Sequence, residues 1–422
     1  MADLVFLVVP CAMIGTVFGE HLVIFAIMVT MILMAMIGFV YFESMDCVAT
    51  KQAWSRIIDE HHRPTMFVTY LRTTIMVSVT VSILAVDFPI FPRRFAKTEL
   101  FGYSIMDVGV SAFIYISAIG TRMAKSSNSG RAHKVSHQKW YKSSTFVLFA
   151  LGFLRALTVE MIGYPSHVSE YGIHWNFFFT MAIVRVFYAI IPSNYPLINA
   201  LIMGICHQTV LNSGYQEWIM TEGMNRRENI IGMNAEGIFS IMGYLTIFYA
   251  GLAVGEFMAK TGIRLKSWCK RILQLFIISL LLLILQYLSS KFIDLPCRRI
   301  ANVTYILSQL SIMIFATGMC LMIQMYNIFA WCAAFPQFSN GDDPFSSLSP
   351  CLAESINRHS LIYFIISNIL TGLINLSIDA HHTTDPFVSI PIISVYLIIT
   401  SFVVHFIEFR KINFDGSKTH SE

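Results

Sequence analysis

Asp87 and Lys97 lie ten residues apart in residues 87–107, which read DFPIFPRRFAKTELFGYSIMD between two long apolar runs. A carboxylate that accepts a proton from a hydroxyl, beside an ammonium that steadies a developing oxyanion, is a sufficient minimal apparatus for acyl transfer to an alcohol. Pro89 and Pro92 restrict the residues before them to extended or turning conformations, so the ends of the stretch can fold back near each other. Arg93 and Arg94 supply a phosphate clamp. Glu99 and Asp107 add carboxylates, and Phe88, Phe91, Phe95 and Phe101 surround them with apolar surface. A single charged pair at a helix end is commonly an ion pair or a snorkelling anchor. Here the density of charge is unusual, because each uncompensated charge so close to hydrocarbon costs about 3 kcal/mol.

Three further constellations carry polar groups of the right types. Residues 164–180, YPSHVSEYGIHWNFFFT, offer His174 and Asn176 as proton carrier or hydroxyl reader, while Tyr171 and Trp175 read as an interfacial belt. Residues 233–244, MNAEGIFSIMGY, place Asn234 and Glu236 at a helix entrance, where Asn234 is either an N-cap or part of the same pocket. Residues 367–379, SNILTGLINLSID, put Asn368, Thr371 and Asn375 on one stripe of an apolar helix, which must face protein or a polar cavity. Arg72, Arg155, Glu160 and Arg185 within apolar runs read as structural, and His207 as a satisfied core histidine. No GxSxG, HExxH or Walker A loop occurs, and the spacing of Asp379, His381, His382 and Asp385 matches no standard metal site. The eight cysteines contain no CxxC pair, so no metal is expected.

The elements that position these groups are membrane helices. Of 422 residues, 55% are hydrophobic and 13% charged, which defines an all-α, polytopic transmembrane helix bundle with no soluble domain. About twelve runs reach spanning length: 2–18, 22–42, 65–86, 104–121, 143–162, 176–192, 195–212, 237–258, 271–289, 301–322, 358–378 and 388–408. The first has no basic region before it and reads as a membrane helix rather than a signal peptide. A shorter run, 325–335, is expected to lie in the interface or to re-enter. The whole of 1–422 reads as one polytopic domain, with basic loops at 43–64, 122–142 and 259–271. Counting Lys and Arg in the connections gives seventeen on the side of these loops and eight on the other, so residues 87–107 fall on the non-cytosolic face. No basic block interleaved with aromatics resembles a nucleic-acid patch, so the expected partners are membrane lipids. Whether a protein partner takes part is not legible in these residues.

The segment ILAVDFPIFPRRFAKTELFGYSIMDVG resembles the signature of the glycosylphosphatidylinositol (GPI) anchor inositol acyltransferases of the PIG-W type. EYGIHWNFFFT, NAEGIFSIMGY and SNILTGLINLSID resemble that family in the same order, so the likeness covers nearly the whole chain. The resemblance implies an endoplasmic reticulum membrane enzyme that moves a fatty acyl chain, typically palmitoyl, to the inositol 2-hydroxyl of glucosaminyl-phosphatidylinositol. It implies acyl-CoA (palmitoyl-CoA) as co-substrate, no bound cofactor, a lumenal hairpin, and Asp87 and Lys97 as the catalytic pair. The family usually has about thirteen spans, one more at the N-terminus. It also commonly has Arg or Lys where Ala235 stands. Two other classes fit the same charges: a polytopic lipid transporter or scramblase, and a non-catalytic subunit of a lipid-modifying complex.

Overall fold

A computed structural model describes residues 12–13, 16, 21–46, 51–52, 54–55, 66–128, 144–162, 171–221, 229–261, 264–335 and 351–419. Among these residues the regular structure is helical, with no strand. The principal helices are α1 (Leu22–Asp46), α2 (Met66–Ala85), α3 (Val108–Asn128), α4 (Ser144–Ile162), α5 (Phe177–Ile190), α6 (Pro196–Val210), α7 (Ala235–Ala259), α8 (Leu265–Phe292), α9 (Val303–Ala334), α10 (Ser360–Ser377) and α11 (Pro386–Thr419). Among the described residues, six stretches are long and apolar enough to cross a membrane: α2, α7, α8, α9, α10 and Pro386–Lys411 of α11. Shorter apolar helices are Val108–Met123, Ser144–Thr158 and Phe177–Ile190. The chain is thus a multi-pass helical membrane protein. The run 2–18 lies almost wholly outside the described residues. Residues 325–334, expected as a separate interfacial or re-entrant piece, instead continue α9, whose 32 residues extend about 48 Å against a hydrocarbon core of about 30 Å.

The chain divides into two compact units. In the first (1–96, 262–272 and 319–422), α2 packs against α10, α11 and the short helix Leu352–Arg358. Tyr396 of α11 ties this unit together, because its hydroxyl lies 3.2 Å from the Thr80 carbonyl of α2 and 3.3 Å from the Ser367 carbonyl of α10. Further along α2, Thr73 donates to the Ala353 carbonyl at 2.8 Å and Arg72 to the Asn357 amide oxygen at 2.8 Å. At the other end of α11 the buried Glu408 receives Arg358 at 2.7 Å and His359 at 2.8 Å. Polar side chains inside hydrocarbon must find protein partners, and these contacts fix the register of α2, α10 and α11.

In the second unit (97–261 and 273–318), α7 is the central helix, packed on α3 along one side and α6 along another. Glycines make the approach close. A Cβ at Gly251 would lie 2.9 Å from the Ala118 Cβ of α3, and one at Gly204 of α6 would meet Thr246 of α7 at 3.3 Å. Buried hydrogen bonds join α3 to the first half of α9: Ser111 to Gln309 at 3.0 Å, Ser111 with Tyr305 at 2.9 Å, and Tyr115 with Thr317 at 3.1 Å.

Candidate active site

The apolar composition of α2 ends at Ala85, and residue 88 cannot continue the helix easily because it precedes a proline. The chain therefore leaves α2 in successive turns: Asp87 N–H donates to the Leu84 carbonyl, Phe88 to Ala85 and Phe91 to Phe88. Phe88, Phe91 and Phe95 are buried and anchor the segment, with Phe91 and Phe95 in edge-to-face contact at 6.0 Å. Asp87 is left half-buried at the helix end. Its carboxylate accepts a hydrogen bond of 2.7 Å from the Asn375 amide, at the last turn of α10. Two candidates from separate polar motifs therefore meet in the first unit. Arg93 and Arg94 are exposed; Arg93 donates back to the Val86 carbonyl at 2.8 Å, and Arg94 lies over the Phe95 ring at 5.2 Å. Asn368, also on α10, is exposed and bonds the carbonyl one turn earlier, while Thr371 is buried toward Tyr396. Beside Ile374 the same helix pair flanks an open apolar cavity of about 340 Å³, lined by Leu370 and Ile374 of α10 and Pro391, Val395, Tyr396 and Ile399 of α11.

In the second unit Lys97 and Glu99 are exposed and Asp107 is fully buried. Asp107 accepts from Thr98 N–H at 3.2 Å, Thr98 Oγ1 at 2.8 Å and Ser104 N–H at 2.9 Å, so it fixes the backbone next to Lys97. Its charge is met by Arg298 Nε at 2.8 Å, itself only 5% exposed. A second buried pair follows immediately: Arg299 and Glu236, 2.8 Å apart, on the first turn of α7.

Both arginines come from the loop 293–302, where the sequence marks them only as connection charges. Asn302 organises that loop, with its side-chain oxygen accepting from Cys297 N–H and Tyr305 N–H and its amide donating to the Leu295 carbonyl. His207 is the satisfied core histidine expected of it, its Nε2 lying 2.9 and 3.1 Å from the Ile300 and Ala301 carbonyls. Ala301 adopts φ +48, an uncommon conformation for a residue with a Cβ, and rests against Gly243, where any side chain would collide with the Ala301 carbonyl. The Cys297 thiol donates to the Leu100 carbonyl at 3.0 Å, and burial pushes its titration up. The signal in the sequence was a pair of adjacent arginines just before a long apolar helix, in a chain whose helix-end acids need partners.

The motifs around His174 and Asn234 also meet. Ile173 N–H donates to the Met233 carbonyl at 3.0 Å, His174 N–H to the Asn234 side-chain oxygen at 3.0 Å, and Gly237 N–H to the Tyr171 carbonyl at 3.0 Å. Asn234 therefore staples two loops and makes no side-chain cap on α7. Asn176 is the N-cap of α5, accepting from Phe178 and Phe179 N–H and donating to the Gly152 carbonyl. Its amide is committed to backbone, whereas the His174 ring is exposed. Trp175, read as a belt residue, packs on Gly237 and donates to Thr180 at 2.9 Å. Gly172 is held at φ +102 with its Cβ position 2.4 Å from the Met233 carbonyl. Gly172→Ala is therefore expected to lower stability by more than the roughly 1–3 kcal/mol of backbone strain alone, seen as a drop in thermal midpoint by fluorescence-detected size exclusion.

Apolar helices of spanning length, with most acids and cations in the connections and at helix ends, define a multi-pass membrane protein. Residues 1–407 match the GWT1 family model, and the chain belongs to that family. It is similar to GPI-anchored wall transfer protein 1 of Schizosaccharomyces pombe, 33% identical over 357 residues that cover 82% of this chain and 73% of the relative. The protein of the same name in Candida albicans is 31% identical over 384 residues, 82% of this chain and 75% of its own. Glucosaminyl-phosphatidylinositol-acyltransferase PIGW of Mus musculus is 31% identical over 373 residues, 81% of this chain and 73% of its own. The chain is an acyltransferase.

Proposed function

We propose that this acyltransferase moves a fatty acyl chain, palmitoyl in the first instance, from acyl-CoA to the inositol 2-hydroxyl of glucosaminyl-phosphatidylinositol, in the endoplasmic reticulum membrane. The observation that carries the reading is the half-buried Asp87 carboxylate at the end of α2, in a family whose mouse member is named for acylation of that lipid. In the reaction the Asp87 carboxylate takes the hydroxyl proton as the inositol oxygen attacks the thioester carbonyl. The new C–O ester bond forms, the C–S bond breaks, and the proton passes on to the departing CoA thiolate. Lys97 steadies the negative charge on the carbonyl oxygen, a role supported by its ten-residue spacing from Asp87. Arg93, Arg94 and the exposed His174 are available to phosphate and hydroxyl groups of the substrates. Glu99 and Asn368, also exposed, stay candidates for headgroup contacts. Asp107, Asn176, Asn234 and Glu236 act by shaping the loops. The distribution of Lys and Arg supports a lumenal site.

The test is acyl transfer by purified protein given acyl-CoA and glucosaminyl-phosphatidylinositol, read by mass spectrometry as one acyl group gained by the inositol lipid. No gain, with both substrates and folded protein present, removes the assignment. The cavity between α10 and α11 begins one residue from Asn375 and is wholly apolar in its lining, which suits the acyl chain with its carbonyl end toward Asp87. Leu370→Trp should then shift donor preference toward shorter acyl-CoA by about tenfold relative to palmitoyl-CoA, as a few methylenes lose their site. A chain-length profile identical to wild type would place the acyl chain elsewhere.

A further inference from the structure

We infer that Asn375 is a positioning residue for Asp87, holding the carboxylate in place through its side-chain amide; this rests on the assignment of Asp87 as the base. The sequence places Asn375 on a polar stripe with Asn368 and Thr371 and leaves open whether that stripe packs against protein or lines the substrate site. The contacts separate the three. Asn368 bonds its own helix, Thr371 turns inward to Tyr396, and Asn375 alone of the stripe gives its amide to Asp87, at 2.7 Å.

That contact is built into the packing of the unit. Asp87 follows the end of α2 by two residues and Asn375 precedes the end of α10 by two, so their separation is set by how far α2 and α10 slide against each other. The Tyr396 hydroxyl fixes that slide, since it meets the Thr80 carbonyl of α2 and the Ser367 carbonyl of α10 at once. Both anchoring carbonyls lie about two turns from the contact, and Tyr396 is 2% exposed, so the clamp is inside the protein while Asp87 remains partly open. A carboxylate working as a base must present one oxygen to the hydroxyl. An amide donor on Oδ2 leaves Oδ1 for that purpose and restricts rotation of the group.

The charged and titratable groups flanking this contact within the unit include Arg93 and Arg94 after Asp87, and Asp379, His381, His382 and Asp385 after α10. Asp379 is exposed and held below the usual carboxylate range by its hydrogen bond from the His382 imidazole, so it is already committed to another partner.

The experiment compares Asn375→Gln, Asn375→Leu and Asn375→Asp in acyl transfer over a range of pH. A hydrogen bond to the charged form of a carboxylate favours that form, so its loss moves the acidic limb of the kcat/KM profile to higher pH. Asn375→Leu is expected to lower kcat by about tenfold with KM for both substrates nearly unchanged and the acidic limb displaced upward. Asn375→Asp, which sets one carboxylate against another, should displace it further, and Asn375→Gln, which keeps the donor, should recover most of the rate. In an Asp87→Asn background Asn375→Leu should add nothing. A higher KM for the inositol lipid with an unmoved limb would make Asn375 a substrate contact and overturn the inference, as would wild-type behaviour of all three. Wild-type activity in Asp87→Asn would instead overturn the assignment of the base itself. Asn375 is exposed, and elution and thermal midpoint of each variant separate a folding defect from a kinetic one.

Discussion

Asp87→Asn should reduce acyl transfer by about 10²–10⁴-fold while the protein still accumulates in membranes. The substitution keeps shape and removes only the capacity to take a proton. Because Asp87 lies half-buried in a turn held by backbone bonds and by the burial of Phe88 and Phe91, its neighbours do not depend on its charge for their fold. KM for both substrates should change little, since the group acts on the proton in flight and not on the ground state. Lys97→Ala should also lower kcat, and Lys97→Arg should recover part of it by keeping a cation but not its compact geometry. Full activity in Asp87→Asn membranes, assayed with saturating acyl-CoA, would remove this residue from the chemistry.

The polar stretch 87–107 was visible in the sequence because composition changes sharply at its edges, and the helices do end at Ala85 and resume at Val108. Hydropathy reports such edges well, since backbone in lipid has few options other than a helix. Pairings are another matter. Asp107 and Glu236 looked like open carboxylates, yet their arginines come from a loop 191 and 63 positions further along the chain, at Arg298 and Arg299. Nothing local distinguishes an arginine that will be buried beside an acid from one that will sit in water. Asn176 and Asn234 show the same limit from the other side. Both precede helices, but one caps its helix and the other staples a neighbouring loop, a difference fixed by the partner at His174.

The largest effect on stability is expected at the pair of Asp107 and Arg298. Both side chains are out of solvent, so Asp107→Asn or Arg298→Met leaves one full charge buried alone and should cost about 3–5 kcal/mol, seen as loss of folded protein or a large fall in thermal midpoint. Removing both charges together is a different perturbation. Asp107→Leu with Arg298→Met strands no ion, and a buried pair replaced by apolar groups of similar volume is often neutral. Recovery should nevertheless be incomplete, because Asp107 also accepts from the N–H groups of Thr98 and Ser104 and from the Thr98 hydroxyl, all of which lose their acceptor. Those donors bracket the backbone that follows Lys97. A double variant that regains most of its thermal midpoint but remains slow in acyl transfer would assign Asp107 to the support of Lys97. Equal recovery of stability and rate would confine the pair to folding.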